Sequence, residues 1–240
     1  MLLVVACIVM VVAGVVQRLT GLGFALVATP LMVLLYGPVD GVLVVVVAGA
    51  VAAIVMLATM LGEVDWRRSL LLATAGVAAS PLAAWVVHVS PPQALLLIVG
   101  SAGLLSLLGG RLVSVARMLT GTRGALFAGS ASGFLHVASG LSGPPLVAYG
   151  LNDRWDQRSF AASLQVVFLV YHLITVAWRG LPRIEAEELG WLIGLSILGT
   201  LLGVLLARIV PSRWSRLGML GIAWAGTIAV LVRGALAFLE

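Results

Sequence analysis

The sequence predicts an all-α integral membrane protein of about ten hydrophobic segments, giving eight to ten transmembrane helices with two pairs short or broken, arranged as two inverted repeats. Three observations carry that prediction: overall apolarity, apolar stretches of membrane-crossing length, and one internal alignment that relates the two halves. Hydrophobic residues make up 62% of the chain and charged residues 10%, with a mean hydropathy of +1.18. That mixture is far from one that keeps a globular surface in water. A helix needs roughly 20 apolar residues to cross a hydrocarbon core about 30 Å thick. Stretches of that order recur along nearly all 240 residues, so the chain reads as one transmembrane domain over 1–240 with no separate soluble domain.

Polar, glycine and proline punctuation divides the first half into Leu2 to Val16, Gly21 to Tyr36, Gly41 to Leu61, Ser69 to Val89 and Gln93 to Gly110. The second half divides into Gly124 to Val137, Gly140 to Leu151, Phe160 to Trp178, Leu189 to Ile209 and Ser215 to Val232. Two pairs are short. Met1 to Tyr36 as one straight helix would be about 54 Å long and overshoot the bilayer, so it must break or bend back. Gln17-Arg18-Leu19-Thr20-Gly21 supplies the first break and His136-Val137-Ala138-Ser139-Gly140 the second.

A shift of 119 positions superposes these breaks: Gly14 on Gly133, Gln17 on His136, Thr20 on Ser139, Gly21 on Gly140 and Leu22 on Leu141. The same shift lays Gly41 to Leu61 on Phe160 to Gly180 and Ser69 to Val89 on Glu188 to Arg208, giving repeats of about 1–115 and 120–240. Weak collinear similarity of this kind marks duplicated transporter folds, and an odd number of segments per half inverts one repeat against the other.

Arginine placement supports the segment count, because cytoplasmic loops accumulate basic residues. All fourteen basic residues are arginine. Eleven lie in odd-numbered connections (18, 67, 68, 111, 117, 123, 154, 158, 208, 213 and 216) and three in even ones or near the C-terminus (179, 183 and 233). The chain is thus expected to be a multi-pass protein of the cell (inner or plasma) membrane with both termini extracytoplasmic. The net charge of +5 reads as topology and headgroup contact rather than nucleic-acid binding, since no basic face interleaved with aromatics is present. Cys7 is the only cysteine, which excludes an internal disulfide. Val4-Val5-Ala6-Cys7 resembles a lipidation box, but no basic region or adequate apolar stretch precedes it, so the first segment is expected to remain as a transmembrane helix.

Broken helices expose backbone N–H and C=O groups that membranes tolerate only when buried in protein or lining a wet cavity. Helix N-termini there favour anions, and glycines let a ligand approach the backbone. The candidate substrate-binding residues are therefore Arg18, Thr20, Gly21, Gly23, His136, Ser139, Gly140 and Ser142, with Gln17, Gln165 and His172 as candidate cavity lining. Gln165 and His172 are seven apart and share a helical face. Each has a plainer reading. Arg18 is a cytoplasmic topology signal or an anion contact; Thr20, Ser139 and Ser142 bond their own helices or a ligand; His136 is structural or a substrate or proton contact. His88, Trp66, Trp155, Trp178, Trp191 and Trp214 read as interfacial. Gly190, Gly194, Gly199 and Gly203 have the small-xxx-small spacing of close helix packing, within the chain or in a homodimer.

The stretches Gly14 to Pro30 and Gly129 to Pro145 resemble the sulfite exporter TauE/SafE family, whose halves each carry a glycine-rich segment leading into an apolar, proline-containing helix. The resemblance extends over essentially the whole chain. Here Phe24 and Ala25 follow Gly23, and Ser142-Gly143-Pro144-Pro145 stands in the second half, in place of a plain glycine run. The resemblance implies a membrane transporter, with no cofactor, for small anions such as sulfite or organosulfonates.

Other classes fit less well. Gly140-Leu141-Ser142-Gly143 has the Gly-x-Ser-Gly form of rhomboid proteases, with His172 as the base for a Ser142 nucleophile. A metal enzyme lacks ligand spacing among His88, His136 and His172. An ATP-driven pump lacks a phosphate-binding loop, which requires lysine. A non-transport scaffold explains membrane insertion but not two aligned breaks.

Overall fold

The computed structural model describes residues 1–21, 23–112, 120–206, 209–210 and 212–239. Leu22 of the internal alignment, and Arg117 and Arg208 of the arginine count, lie outside the described residues. Among the described residues every regular element is helical. The helices are α1 (Leu2–Thr20), α2 (Phe24–Ala58), α3 (Trp66–Val89), α4 (Pro92–Leu112), α5 (Gly121–Ser139), α6 (Gly143–Asn152), α7 (Gln157–Arg179), α8 (Ala186–Leu206) and α9 (Ser212–Leu236), with a short 3-10 turn at Leu61–Glu63. Seven of them, α1 to α4 and α7 to α9, are long and apolar enough to cross a membrane. With ten residues, α6 is about 15 Å long, roughly half a hydrocarbon core.

Among the described residues α2 is two helical stretches, 24–36 and 38–58, which correspond to the second and third expected segments and fold back on each other, since a Cβ on Gly41 would stand 2.4 Å from Met32 O. Within α2 a single residue, Gly37, is non-helical, with φ 82° and ψ 172°. Glycine takes this positive φ without a Cβ penalty, and Pro38, which has no N–H to leave unpaired, suits the first turn of the helix that continues. The two predicted breaks are present but start later than expected. Each is a left-handed glycine closing a helix: Gly21 at φ 81° after α1 and Gly140 at φ 74° after α5. Gly21 N–H donates to Gln17 O and Gly140 N–H to His136 O, both at 2.7 Å. The hydroxyls before each glycine are satisfied within their own helices, Thr20 Oγ1 donating to Val16 O and Ser139 Oγ to Leu135 O, four residues back in each case.

Helix limits follow the 119-residue shift closely. It carries Leu2–Thr20 onto Gly121–Ser139, Phe24 onto the start of α6 at Gly143, and Pro38 onto the start of α7 at Gln157. Packing is crosswise: α1 lies mainly against α8, and α5 against α3. A Cβ on Gly14 would stand 2.3 Å from Ser196 O, and one on Gly133 2.3 Å from Gly76 Cα, so both crossings are backbone to backbone. Lipid gives apolar helices no hydrophobic reason to associate, and close packing of small residues supplies the attraction instead. Gly199 and Gly203 likewise meet α1, at Val11 and Arg18, whereas Gly190 and Gly194 face open space.

Polar bonds mark the two ends of the bundle. At one, Asp65 N–H donates to Ser163 Oγ, Arg68 pairs with Asp153 at 2.8 Å, and Gly121 N–H donates to Asp153 Oδ1. At the other, Arg183 N–H donates to Asp40 Oδ1 and Arg233 to Leu34 O.

Candidate functional site

The described contacts gather the predicted site residues into two groups, one per break, and the groups communicate through the first part of α2. The first break is closed on itself. Gln17 is buried, and its Oε1 accepts the Phe24 N–H at 3.0 Å, which satisfies an amide at the start of α2 that would otherwise be unpaired. Arg18 is exposed, with Nη1 4.0 Å from Met56 Sδ near the end of α2. Thr20 is bonded within α1, a Cβ on Gly23 would run into Val16 and Thr20, and Gly21 has free space around it.

The second break is built differently at the corresponding position. His136, 2% exposed, directs Nδ1 to Ser142 Oγ at 3.0 Å and Nε2 to His172 Nδ1 at 3.1 Å. The imidazoles meet edge to face with centroids 4.6 Å apart. His172 fits only because residue 49 is glycine, where a Cβ would lie 2.6 Å from Cε1 and 2.7 Å from Nε2. The loop is tied to α5 by Ser132 Oγ donating to Ser142 O at 2.9 Å. Beside the pair, the Tyr171 hydroxyl lies 2.9 Å from both Leu72 O and Gly129 O and donates to one at a time, in space left by Gly76.

Because position 136 turns away to these partners, no described side chain caps Gly143 at the start of α6, and Pro144 and Pro145 carry no N–H. The start of α6 therefore presents few, uncapped donors at its positive end. Thr29, fully buried in α2, aims at this place: its Oγ1 would be 3.6 Å from a Cβ on Gly140 and has no hydrogen-bond partner. Helical threonines 20, 74, 175 and 200 all donate to the carbonyl four residues back, whereas the buried hydroxyls of Thr29 and Thr227 have no partner, and of these two Thr29 stands at a break. A cation adjoins as well. Arg179 Nη1 donates to Val137 O at 2.9 Å and Nη2 to Pro38 O at 3.5 Å, while its Nε is buried without a partner.

The residues brought together are thus His136, Ser139, Gly140, Ser142 and His172. Gln165 is buried on the His172 face, but its amide donates to Ala161 O of its own helix. Arg179 and Thr29 were missed in the sequence. Arg179 falls at a span end beside Gly180 and Pro182 and reads as a loop charge, and no local pattern tells which threonine will lack an acceptor. The pairing expected for a protease is not supported: the imidazole on Ser142 is that of His136, and His172 reaches the serine only through it.

A bundle of apolar helices with two glycine breaks, one of them lined by an unpartnered hydroxyl, a half-buried arginine and an uncapped helix start, is that of a multi-pass membrane protein. Residues 6–230 match the family described as Sulfite exporter TauE/SafE, and the chain belongs to that family. No curated protein and no solved structure matches it. Membership in a transporter family is consistent with a chain that carries out no chemistry of its own.

Proposed function

We infer that the protein is a secondary transporter, or permease, of the cell membrane that moves a small anion such as sulfite or an organosulfonate by alternating access. The anion binds at the second break, between Arg179 and Thr29 and the start of α6, with Ser139, Gly140 and Ser142 shaping the approach and His136 behind them. The observation that carries this reading is the buried Thr29 hydroxyl left without a partner beside Gly140. A polar group in that state costs free energy unless a ligand uses it.

Arg18, Thr20, Gly21 and Gly23 form the corresponding feature of the first break, where the exposed Arg18 attracts anions toward its end of the bundle. Coincident helix limits at one sequence shift, and the crosswise packing of α1 on α8 and α5 on α3, favour two inverted repeats that rock against each other. The arginine distribution favours termini outside the cell. A flux screen in proteoliposomes over sulfite, sulfate and sulfonates tests the substrate class. Saturable uptake of at least one of these is expected, and no flux for any of them would remove the anion reading. A C-terminal reporter active only in its cytoplasmic form would reject the orientation.

A further inference from the structure

Resting on that reading of the second break, we propose that the hydrogen-bonded chain Ser142–His136–His172 binds one proton together with the anion and carries it across the membrane, making the transporter an anion–proton symporter. Four observations point to it. The three side chains form an unbroken line: Ser142 Oγ to His136 Nδ1 at 3.0 Å, then His136 Nε2 to His172 Nδ1 at 3.1 Å. All three are buried. The line begins on the N-cap of α6, at the break where the anion binds. Finally, no described carboxylate lies among the residues of this cluster that could share the task.

A ring nitrogen facing a ring nitrogen fixes the proton count. One must donate and the other accept, so the neutral pair carries one N–H per ring with one hydrogen between them. One further proton converts one ring to imidazolium and still leaves a donor and an acceptor at the shared contact. A second would set two cations face to face, so the pair takes one proton and no more. No bond other than N–H forms or breaks: the proton comes from water on the side to which the break is open and returns to water on the other side.

The surroundings make that uptake conditional on the anion. From α7 the pair faces Tyr171, with its ring 5.7 Å from His136, and Arg179, whose charge opposes a second cation nearby. From α6 the titratable groups are Tyr149 and Asp153, bonded to each other and with Asp153 held by Arg68 of α3. α2 presents Gly49 and Thr29, while its Asp40, toward the end of the bundle, accepts from Arg183 N–H. α3 presents Leu72 and Gly76 at Tyr171, and its Arg67, Arg68 and His88 lie near its ends. α4 has no titratable side chain over Pro92–Gly109. With one guanidinium already beside the break, an added positive charge is disfavoured until a negative one arrives, and by linkage the proton strengthens anion binding by the same factor.

The test uses the full-length protein in proteoliposomes with labelled methanesulfonate, which stays fully ionised near neutral pH, so any pH effect belongs to the protein. The expected result is exchange at symmetric pH, about tenfold accumulation per unit of pH gradient when the lumen is the more alkaline, and acidification of a trapped pH dye on addition of the anion. His172→Asn keeps a polar group toward His136 but cannot titrate, and should lower the ratio of gradient-driven accumulation to exchange about tenfold. Exchange that ignores the gradient in the wild-type protein, or an unchanged ratio in His172→Asn, overturns proton coupling and leaves the transporter reading standing. Absence of methanesulfonate exchange in the wild-type protein overturns the sulfonate reading and the coupling with it.

Discussion

The two breaks share a backbone and differ in what they do with it. Each closes a helix with a left-handed glycine donating to the carbonyl four residues earlier at 2.7 Å, and each follows that glycine with a new helix. At the first, the glutamine at the key position turns forward and caps the next helix. At the second, the histidine in its place joins another histidine and leaves the next helix start free. One side chain separates two otherwise similar breaks, one a finished structural joint and the other unfinished. The unfinished one is the proposed anion site.

Substitutions can break that contrast. The largest effect is expected at Arg179: Arg179→Met should lower anion flux by about ten- to a hundredfold, the range set by a charge-assisted hydrogen bond of about 1.5–3 kcal/mol. Arg18→Met, exposed at the first break, should change flux only a few-fold in the same assay. Equal losses at the two positions would erase the distinction between the breaks. Next come the closing glycines. Gly21→Ala should cost about 1–2 kcal/mol of stability, from its positive φ alone, since nothing crowds it. Gly140→Ala should cost more, because its Cβ also comes to 3.3 Å from Val42. Thermal unfolding in detergent reads both.

Smaller effects sharpen the picture further. Gln17→Ala removes the cap on Phe24 and should lower stability by about 1 kcal/mol, within the range of helix N-cap losses, with little change in substrate affinity. Thr29→Val goes the other way. Removing a buried hydroxyl that has no partner should leave stability unchanged or raise it by up to about 1 kcal/mol, while anion affinity falls. A Thr29→Val protein that is less stable and transports normally would mean that the hydroxyl serves the fold.

Much of the scaffold could be read from the chain alone. Gly21 and Gly140, the 119-residue shift and the half-length α6 follow from polar glycine sites inside stretches too long to cross straight, a constraint the bilayer imposes on any backbone. The join between the second and third segments was less legible. Gly37-Pro38 carries the same letters as a loop, and only the packing on either side decides that a single residue makes the turn. Of the site, His136, Ser142 and His172 were each picked out by type, yet their line could not be, because residues 36 apart on different helices share no periodicity. Arg179 was hidden by its position, since an arginine after the last apolar residue of a span looks the same whether it meets water or folds back onto Val137 and Pro38.

The crosswise packing of α1 on α8 and α5 on α3 bears on how the chain is made. The backbone surface that α1 needs, around Ser196 and Gly199, leaves the ribosome some 180 residues after α1 itself. Until then α1 has α2 beside it but lacks the helix it packs against most. A half-length product would strand two helices with glycine faces and nothing to place against them. The two halves, if expressed as separate chains, should accumulate only when both are present, each acting as the other's folding partner.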